Sequence, residues 1–203
     1  MLHAMPPTPC ILVFAGSLRA GSWNKKLARV AAAAAEAAGG QVTLIDLIDY
    51  QMPLYNADDE TATGLPEAAW RLREQFFAHD GLLISAPEYN SSMTGVLKNT
   101  IDWLSRKPAD VQEPPLAVLR NKAALLLAAS PGALGGLRGL VHLRAMLQNL
   151  GVNVLPFQYA LSRADTAFTA EGALVDPKGQ AIVEDYTGKF VRFLSKTGPT
   201  PYD

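Results

Sequence analysis

The chain has 203 residues, 49% of them apolar, and a formal charge of −1, which suits one folded α/β domain and excludes a disordered chain. With 18 basic and 19 acidic residues, it has neither the basic excess that would propose nucleic acid or an anionic membrane as partner nor the strong acidity of an electron carrier. No stretch approaches the ~20 apolar residues that cross a bilayer, and a single cysteine rules out an internal disulfide, so a reducing cytoplasm is the expected compartment.

Taken in chain order, residues 1–8 lack an apolar signal core and read as a loose tail ahead of one domain over 9–197. CILVFAG (10–16) is the first strand, apolar throughout as expected of a parallel strand covered on both faces. Cys10 at its start reads as a buried, inert thiol. Residues 23–38 are alanine-dominated and close at Gly39-Gly40, a helix with its stop. QVTLIDL (41–47) alternates more and fits a strand near the sheet edge, and 48–64, rich in Asp and Thr, reads as irregular. A helix over 66–79 opens with Pro66 in its first turn and ends at His79, where a cation is favoured.

GLLISAP (81–87) is the third strand. The helix over 95–105 places Val96, Leu97, Thr100, Ile101 and Leu104 on one face. Residues 106–116, with Pro108, Pro114 and Pro115, are irregular and long enough to cover a site or a subunit contact. AALLLAAS (123–130) is the fourth strand. The next helix, 137–150, repeats Leu137, Leu140, Val141, Arg144 and Leu147, carries His142 as a structural histidine, and stops at Gly151. A fifth strand begins in GVNVLPF (151–157), and a last helix over 180–195 buries Val191 and Leu194 before a tail at 198–203.

Strict β-α alternation specifies a doubly wound parallel sheet between two helical layers. Five strands give the flavodoxin-like three-layer sandwich, with spatial order 2-1-3-4-5 and a ligand site beyond the strand carboxyl ends at the switch between strands one and three. The loops after strands one, three and four are therefore the informative ones.

The first reads GSLRAGSWNK (16–25). It leads into a helix whose free N–H groups and dipole attract an anion, and Ser17, Arg19, Ser22 and Asn24 can donate to phosphate oxygens. Ser22-Trp23 stands where a nucleotide triphosphatase needs Lys-Ser/Thr, and G-x-G-x-x-G is absent, so a terminal monophosphate fits better than a pyrophosphate. An ordinary turn with Ser22 as helix cap is the alternative. The second loop, APEYNSSMTG (86–95), lies where a ring system would sit, with Pro87, the backbone amides of Glu88, Tyr89 and Asn90, and the Tyr89 ring within reach. Its plainer explanation makes Thr94 a cap and Tyr89 a surface aromatic. The third, SPGALGGLRG (130–139), brings Ser130, Gly132, Gly135 and Gly136 before a helix, either as backbone approaching a flat ligand or as a flexible turn. Paired acids for hydrolysis, a G-x-S-x-G elbow and clustered Cys/His ligands for a metal are missing from the sequence.

GSLRAGSWNKKLA (16–28), PEYNSSMTGVLKNTIDWLSR (87–106) and SPGALGGLRGLVHLRAMLQNLG (130–151) together resemble the NADPH-dependent FMN reductase family, which includes chromate and quinone reductases and azoreductase-like proteins. The resemblance implies non-covalent FMN, NADPH or NADH as electron donor, and two-electron reduction of quinones, azo compounds, flavins or metal oxyanions such as chromate; one open site beside the flavin suggests a ping-pong cycle with no dedicated protein acid or base. Carried over by position, the FMN phosphate meets Ser17, Arg19, Ser22 and Asn24. Pro87, Glu88, Tyr89 and Asn90 line the isoalloxazine, and Ser130, Gly132, Gly135 and Gly136 complete the pocket. It also implies a homodimer or homotetramer, for which Arg106, the 106–116 segment and the 137–150 helix are the candidate contacts. A flavodoxin-type electron shuttle and a flavin-free binding module are the rival readings.

Overall fold

The computed structural model describes residues 8–197, so apart from Thr8 the two expected tails lie outside the described residues. The elements run β1 (Cys10–Ala15), α1 (Trp23–Ala37), β2 (Gln41–Leu44), α2 (Ala57–Thr63), α3 (Glu67–Phe77), β3 (Gly81–Ser85), β4 (Glu88–Tyr89), β5 (Ser92–Met93), α4 (Gly95–Leu104), β6 (Ala123–Ala129), α5 (Leu137–Asn149), β7 (Asn153–Leu161) and α6 (Pro177–Thr197). Five strands form one parallel sheet in the order β2-β1-β3-β6-β7, while β4 and β5 make a separate antiparallel hairpin. Counting the sheet strands alone gives 2-1-3-4-5, the flavodoxin-like order.

The apolar runs are continuous because alternate residues feed two cores. Ile11, Val13, Leu83, Leu125 and Leu127 face α1 and α6, whereas Leu12, Phe14, Leu82, Ile84 and Leu126 face the layer of α3, α4 and α5. Pro156, which cannot donate to a ladder, sits in the edge strand β7, where the register against β6 slips. Cys10 is half-buried rather than buried, because it begins its strand beside Gln41 of the short edge strand.

Four local differences from the sequence reading have physical causes. Within 48–64 the chain forms α2, capped by Asn56 Oδ1, which accepts from the Asp58 N–H (3.1 Å), and fronted by Asp58, Asp59 and Glu60. It buries no side chain, so it left no apolar period to detect. The expected face of α5 is rotated: Gly139, Leu140, Leu143 and Leu147 are buried, while Leu137 and Val141 face out. α6 starts three residues earlier, with Asp176 accepting from the N–H groups of Lys178 and Gly179. The 106–116 segment is pinned within the chain: the buried Arg73 guanidinium donates to the Leu104 and Arg106 carbonyls and pairs with Glu113. Arg106 itself packs over the Tyr55 ring and donates to its hydroxyl.

At the opposite end of the sheet from the loops of interest, Lys122 Nζ donates to the His79 carbonyl at 2.6 Å. Desolvation lowers its pKa to about 8, against the opposing pull of Asp80. From about pH 8 to 10.5 the unfolded lysine holds its proton and the folded one does not, so stability rises with pH across that window. Denaturant unfolding at both ends of the window checks this. The rise is predicted to be smaller in Lys122→Met, and equal rises would contradict it.

Candidate active site

β1, β3 and β6 end side by side, and their loops converge at the point where the strand order reverses. In the β1–α1 loop, Ser17, Ser22 and Asn24 are all nearly buried. Ser17 Oγ accepts from the Arg19 N–H (3.3 Å), which leaves its own hydroxyl hydrogen available. Ser22 occupies the cap position of α1, yet its hydroxyl makes no capping bond. Arg19 is exposed, its guanidinium lying 4.9 Å from the centroid of the Trp23 ring. Asn24 stitches the layers together: Nδ2 donates to the Ala129 carbonyl (2.8 Å), while Oδ1 accepts from the Ala129 N–H and the Ser85 hydroxyl (both 2.9 Å). One Nδ2 hydrogen remains for a ligand.

Beyond β3 the chain makes the β4–β5 hairpin, in which Glu88 pairs with Met93 and Tyr89 with Ser92. Its two turn residues, Asn90 and Ser91, both have positive φ (51° and 66°), the signature of the two-residue turn whose twist matches a hairpin. Thr94 holds this hairpin to the first loop, donating to the Gly16 carbonyl (2.7 Å) and accepting from the Leu97 N–H at the start of α4 (3.2 Å). The cap role weighed for Thr94 is therefore present, beside a tether between loops. His142 of α5 lies 3.1 Å from Ser92 Oγ, a link between helix and hairpin.

Glu88 makes the strongest contact of the hairpin. Its carboxylate accepts from Arg138 Nε (2.8 Å) and Nη2 (2.5 Å), and from the N–H groups of Arg138 (3.0 Å) and Gly139 (3.2 Å). α5 follows Gly136, which has no side chain to cap it, so Glu88 caps the helix from across the site. Desolvation raises the Glu88 pKa, but the Arg138 and Gly139 hydrogen bonds and the Arg138 charge outweigh it and leave the carboxyl below its ordinary value. A group held ionised in this way is a poor proton donor.

The β6–α5 loop is packed from below by the β7–α6 connection. Ser130 donates its N–H to the Leu161 carbonyl (3.0 Å) and accepts from the Ala164 N–H (3.1 Å). Gly135, with φ +61°, lies so close to β7 that a Cβ would meet Ala160 C, Leu161 C and Ser162 N at 2.7 Å. Gly136, with φ +93°, would place one 2.8 Å from Ala128 Cβ. These two glycines fit the loop onto the protein, while Gly132 is exposed beside Ser130 Oγ.

Together the loops enclose a cleft of about 170 Å³ lined by Ser17, Arg19, Ser22, Asn24, Pro87, Glu88, Tyr89 and Ser130 of the expected set. Trp23, Ala129 and Pro131 complete the lining. Asn90, Gly132, Gly135 and Gly136 are not among the lining residues: Asn90 forms the hairpin turn, and the glycines shape the neighbouring wall. Larger grooves lie elsewhere, one of about 790 Å³ at the start of β7 and one of about 840 Å³ between α1 and α6. Neither contains the β1–α1 loop with its buried hydroxyls. The sequence reading missed Arg138 as the partner of Glu88, although both lay inside quoted motifs, because only folding brings 88 and 138 together. Among the described residues no helix is long and apolar enough to cross a membrane.

Residues 9–166 match the family model described as NADPH-dependent FMN reductase. The chain is 42% identical over 179 residues to an NAD(P)H-dependent FMN reductase of Pseudomonas aeruginosa, covering 86% of this chain and 89% of that protein. It is 40% identical over 145 residues to a quinone reductase of Escherichia coli, covering 71% and 72% respectively. Among solved structures it resembles the flavoenzyme NAD(P)H:(acceptor) oxidoreductase FerB of Paracoccus denitrificans, with a TM-score of 0.78, 30% identity, and 93% and 98% of the two chains covered.

Proposed function

The chain belongs to the NADPH-dependent FMN reductase family and is an oxidoreductase of that kind, and on that premise we propose that residues 9–197 act as one FMN-binding domain whose cofactor lies across the three converging loops. The observation that carries this reading is the pair of nearly buried hydroxyls, Ser17 and Ser22, facing one cleft with the exposed cation Arg19, which forms no ion pair among the described residues. Donors with spare hydrogens at a helix N-terminus suit a phosphate monoester. Asn24 fixes the loop and offers its remaining N–H.

The enclosed volume of about 170 Å³ is small beside the ~300–1,000 Å³ of sites that surround a whole ligand. The cleft would therefore take the phosphate end, and Pro87, the backbone of Glu88 to Asn90 and the loop from Ser130 through Gly132 to Gly136 would hold the ring, with Tyr89 beside it. When bound, FMN supplies the two-electron chemistry, taking hydride from NADPH or NADH and passing electrons to a small oxidised acceptor. The protein's part would be to hold the ring while leaving room for donor and then acceptor. Glu88 contributes position rather than a proton.

A quinone is the acceptor best supported, through the Escherichia coli relative. Azo compounds, flavins and metal oxyanions such as chromate are the wider class. The family resemblance favours a homodimer or homotetramer, and the exposed apolar side chains Leu134, Leu137 and Val141 are available for such a contact. We place the enzyme in the cytoplasm.

Titration of flavin-free protein with FMN, followed by fluorescence quenching, tests the phosphate site. Loss of one charge-assisted contact costs about 1.5–3 kcal/mol, so Arg19→Ala is predicted to weaken FMN about ten- to hundredfold while riboflavin binding changes little. Equal FMN affinity in wild type and variant would refute the assignment.

A further inference from the structure

We infer that Lys25 is a positioning residue for the cofactor cleft: anchored by Asp46 just beyond β2, it fixes the peptide between Leu18 and Arg19 so that the β1–α1 loop offers the Ser17 hydroxyl to a phosphate monoester. The inference rests on the proposed reading of the cleft.

A chain of contacts connects the sheet to the loop. Ile45 donates its N–H to the Val13 carbonyl of β1 (3.0 Å), which seats the backbone just past β2. The next residue, Asp46, has both carboxylate oxygens engaged: Oδ1 accepts from the Ile48 N–H (3.1 Å) and Oδ2 from Lys25 Nζ (2.6 Å). Lys25 rises from the first turn of α1 and is nearly buried, and its Nζ also donates to the Leu18 carbonyl (3.4 Å). Leu18 stands between Ser17 and Arg19, both of which line the cleft.

A trans peptide unit is planar, with its carbonyl and the following N–H pointing in opposite directions. Lys25 holds the Leu18 carbonyl at one end of such a unit, and the Arg19 N–H at its other end donates to Ser17 Oγ (3.3 Å). One rigid group thus carries the pull of a buried cation to a hydroxyl on the cleft wall. Because its oxygen accepts from that N–H, Ser17 keeps its own hydrogen for a ligand. Released from Lys25, the unit could turn over and place the carbonyl oxygen where the N–H had been. The Ser17 hydroxyl would then donate to that oxygen and be lost to the phosphate. A flavin without a phosphate would not sense the change.

Lys25→Met keeps most of the aliphatic stem and removes the charge. Asp46, with 35% of its side chain exposed, stays hydrated when its partner is gone, so the variant is expected to fold. Asp46→Asn, which keeps the shape of the carboxylate, makes the same comparison from the other partner. Flavin-free wild type, the two single variants and the double variant are titrated with FMN and with riboflavin by flavin fluorescence, and their denaturant midpoints are measured alongside. Each single variant is predicted to weaken FMN about five- to tenfold, the scale of one hydrogen bond, with riboflavin affinity unchanged. The double variant is predicted to lose no more than either single one, because the two residues act as one unit. A purely structural role would lower the midpoint and weaken both flavins together; that result, or unchanged affinity for both, overturns the inference. Losses that add in the double variant overturn it as well. A wild type that does not bind FMN overturns instead the reading beneath it.

Discussion

Gly135→Ala is expected to destabilise the fold by about 2–5 kcal/mol and to weaken FMN binding with it. Two costs add. An alanine in the left-handed conformation costs about 1–2 kcal/mol, and Gly135 has φ +61°. The new Cβ would also press at 2.7 Å on Ala160, Leu161 and Ser162 backbone atoms, an overpacking that costs about 1–3 kcal/mol. No rotamer change relieves it, because the obstacle is main chain. The β6–α5 loop must lift from β7, carrying with it the Ser130 wall of the cleft. Gly132→Ala is the matched control: its Cβ would meet only Ser130 Oγ at 3.7 Å, an ordinary contact. Denaturant midpoints of the two variants check the contrast, and equal midpoints would show that the loop is not seated as described.

Glu88→Ala is the second large effect, with a predicted loss of about 2–3 kcal/mol from a missing helix cap and a missing charge-assisted pair. The hairpin and α5 are held together across the site largely by this carboxylate, so the ring-lining turn loosens and FMN affinity falls. The same group sets a pH dependence. Its folded pKa lies below its ordinary value of 4.5, so its contribution is complete above that value and is lost as pH falls through the lower, folded one. Wild type is therefore predicted to lose more stability on acidification than Glu88→Ala does. Parallel acid profiles would mean that the Arg138 contact contributes nothing.

The layer architecture was legible because both faces of the sheet are covered. CILVFAG, GLLISAP and AALLLAAS have no polar face, a pattern that only buried parallel strands require. The location of the cleft followed from topology, and eight of the expected site residues line it. Roles were harder to read. Asn24, expected as a ligand contact, joins α1 to the ends of β3 and β6, partners 61 and 105 residues away. Gly135 and Gly136 looked like approach to a flat ring, and the atoms they approach are those of β7 and β6. Local sequence reports that a glycine is needed without reporting what lies against it. α2 escaped because a helix that buries no side chain carries no apolar rhythm, and the hairpin at 88–93 because its turn is Asn-Ser rather than the more recognisable Asn-Gly.

The most direct test of the proposed function is the visible absorbance spectrum of purified protein supplied with FMN, recorded before and after anaerobic addition of NADPH. One bound FMN per chain whose oxidised bands bleach within the mixing time, and return when a quinone is added, is the predicted result. Flavin that stays oxidised with both NADPH and NADH, or protein that retains no FMN, would contradict it.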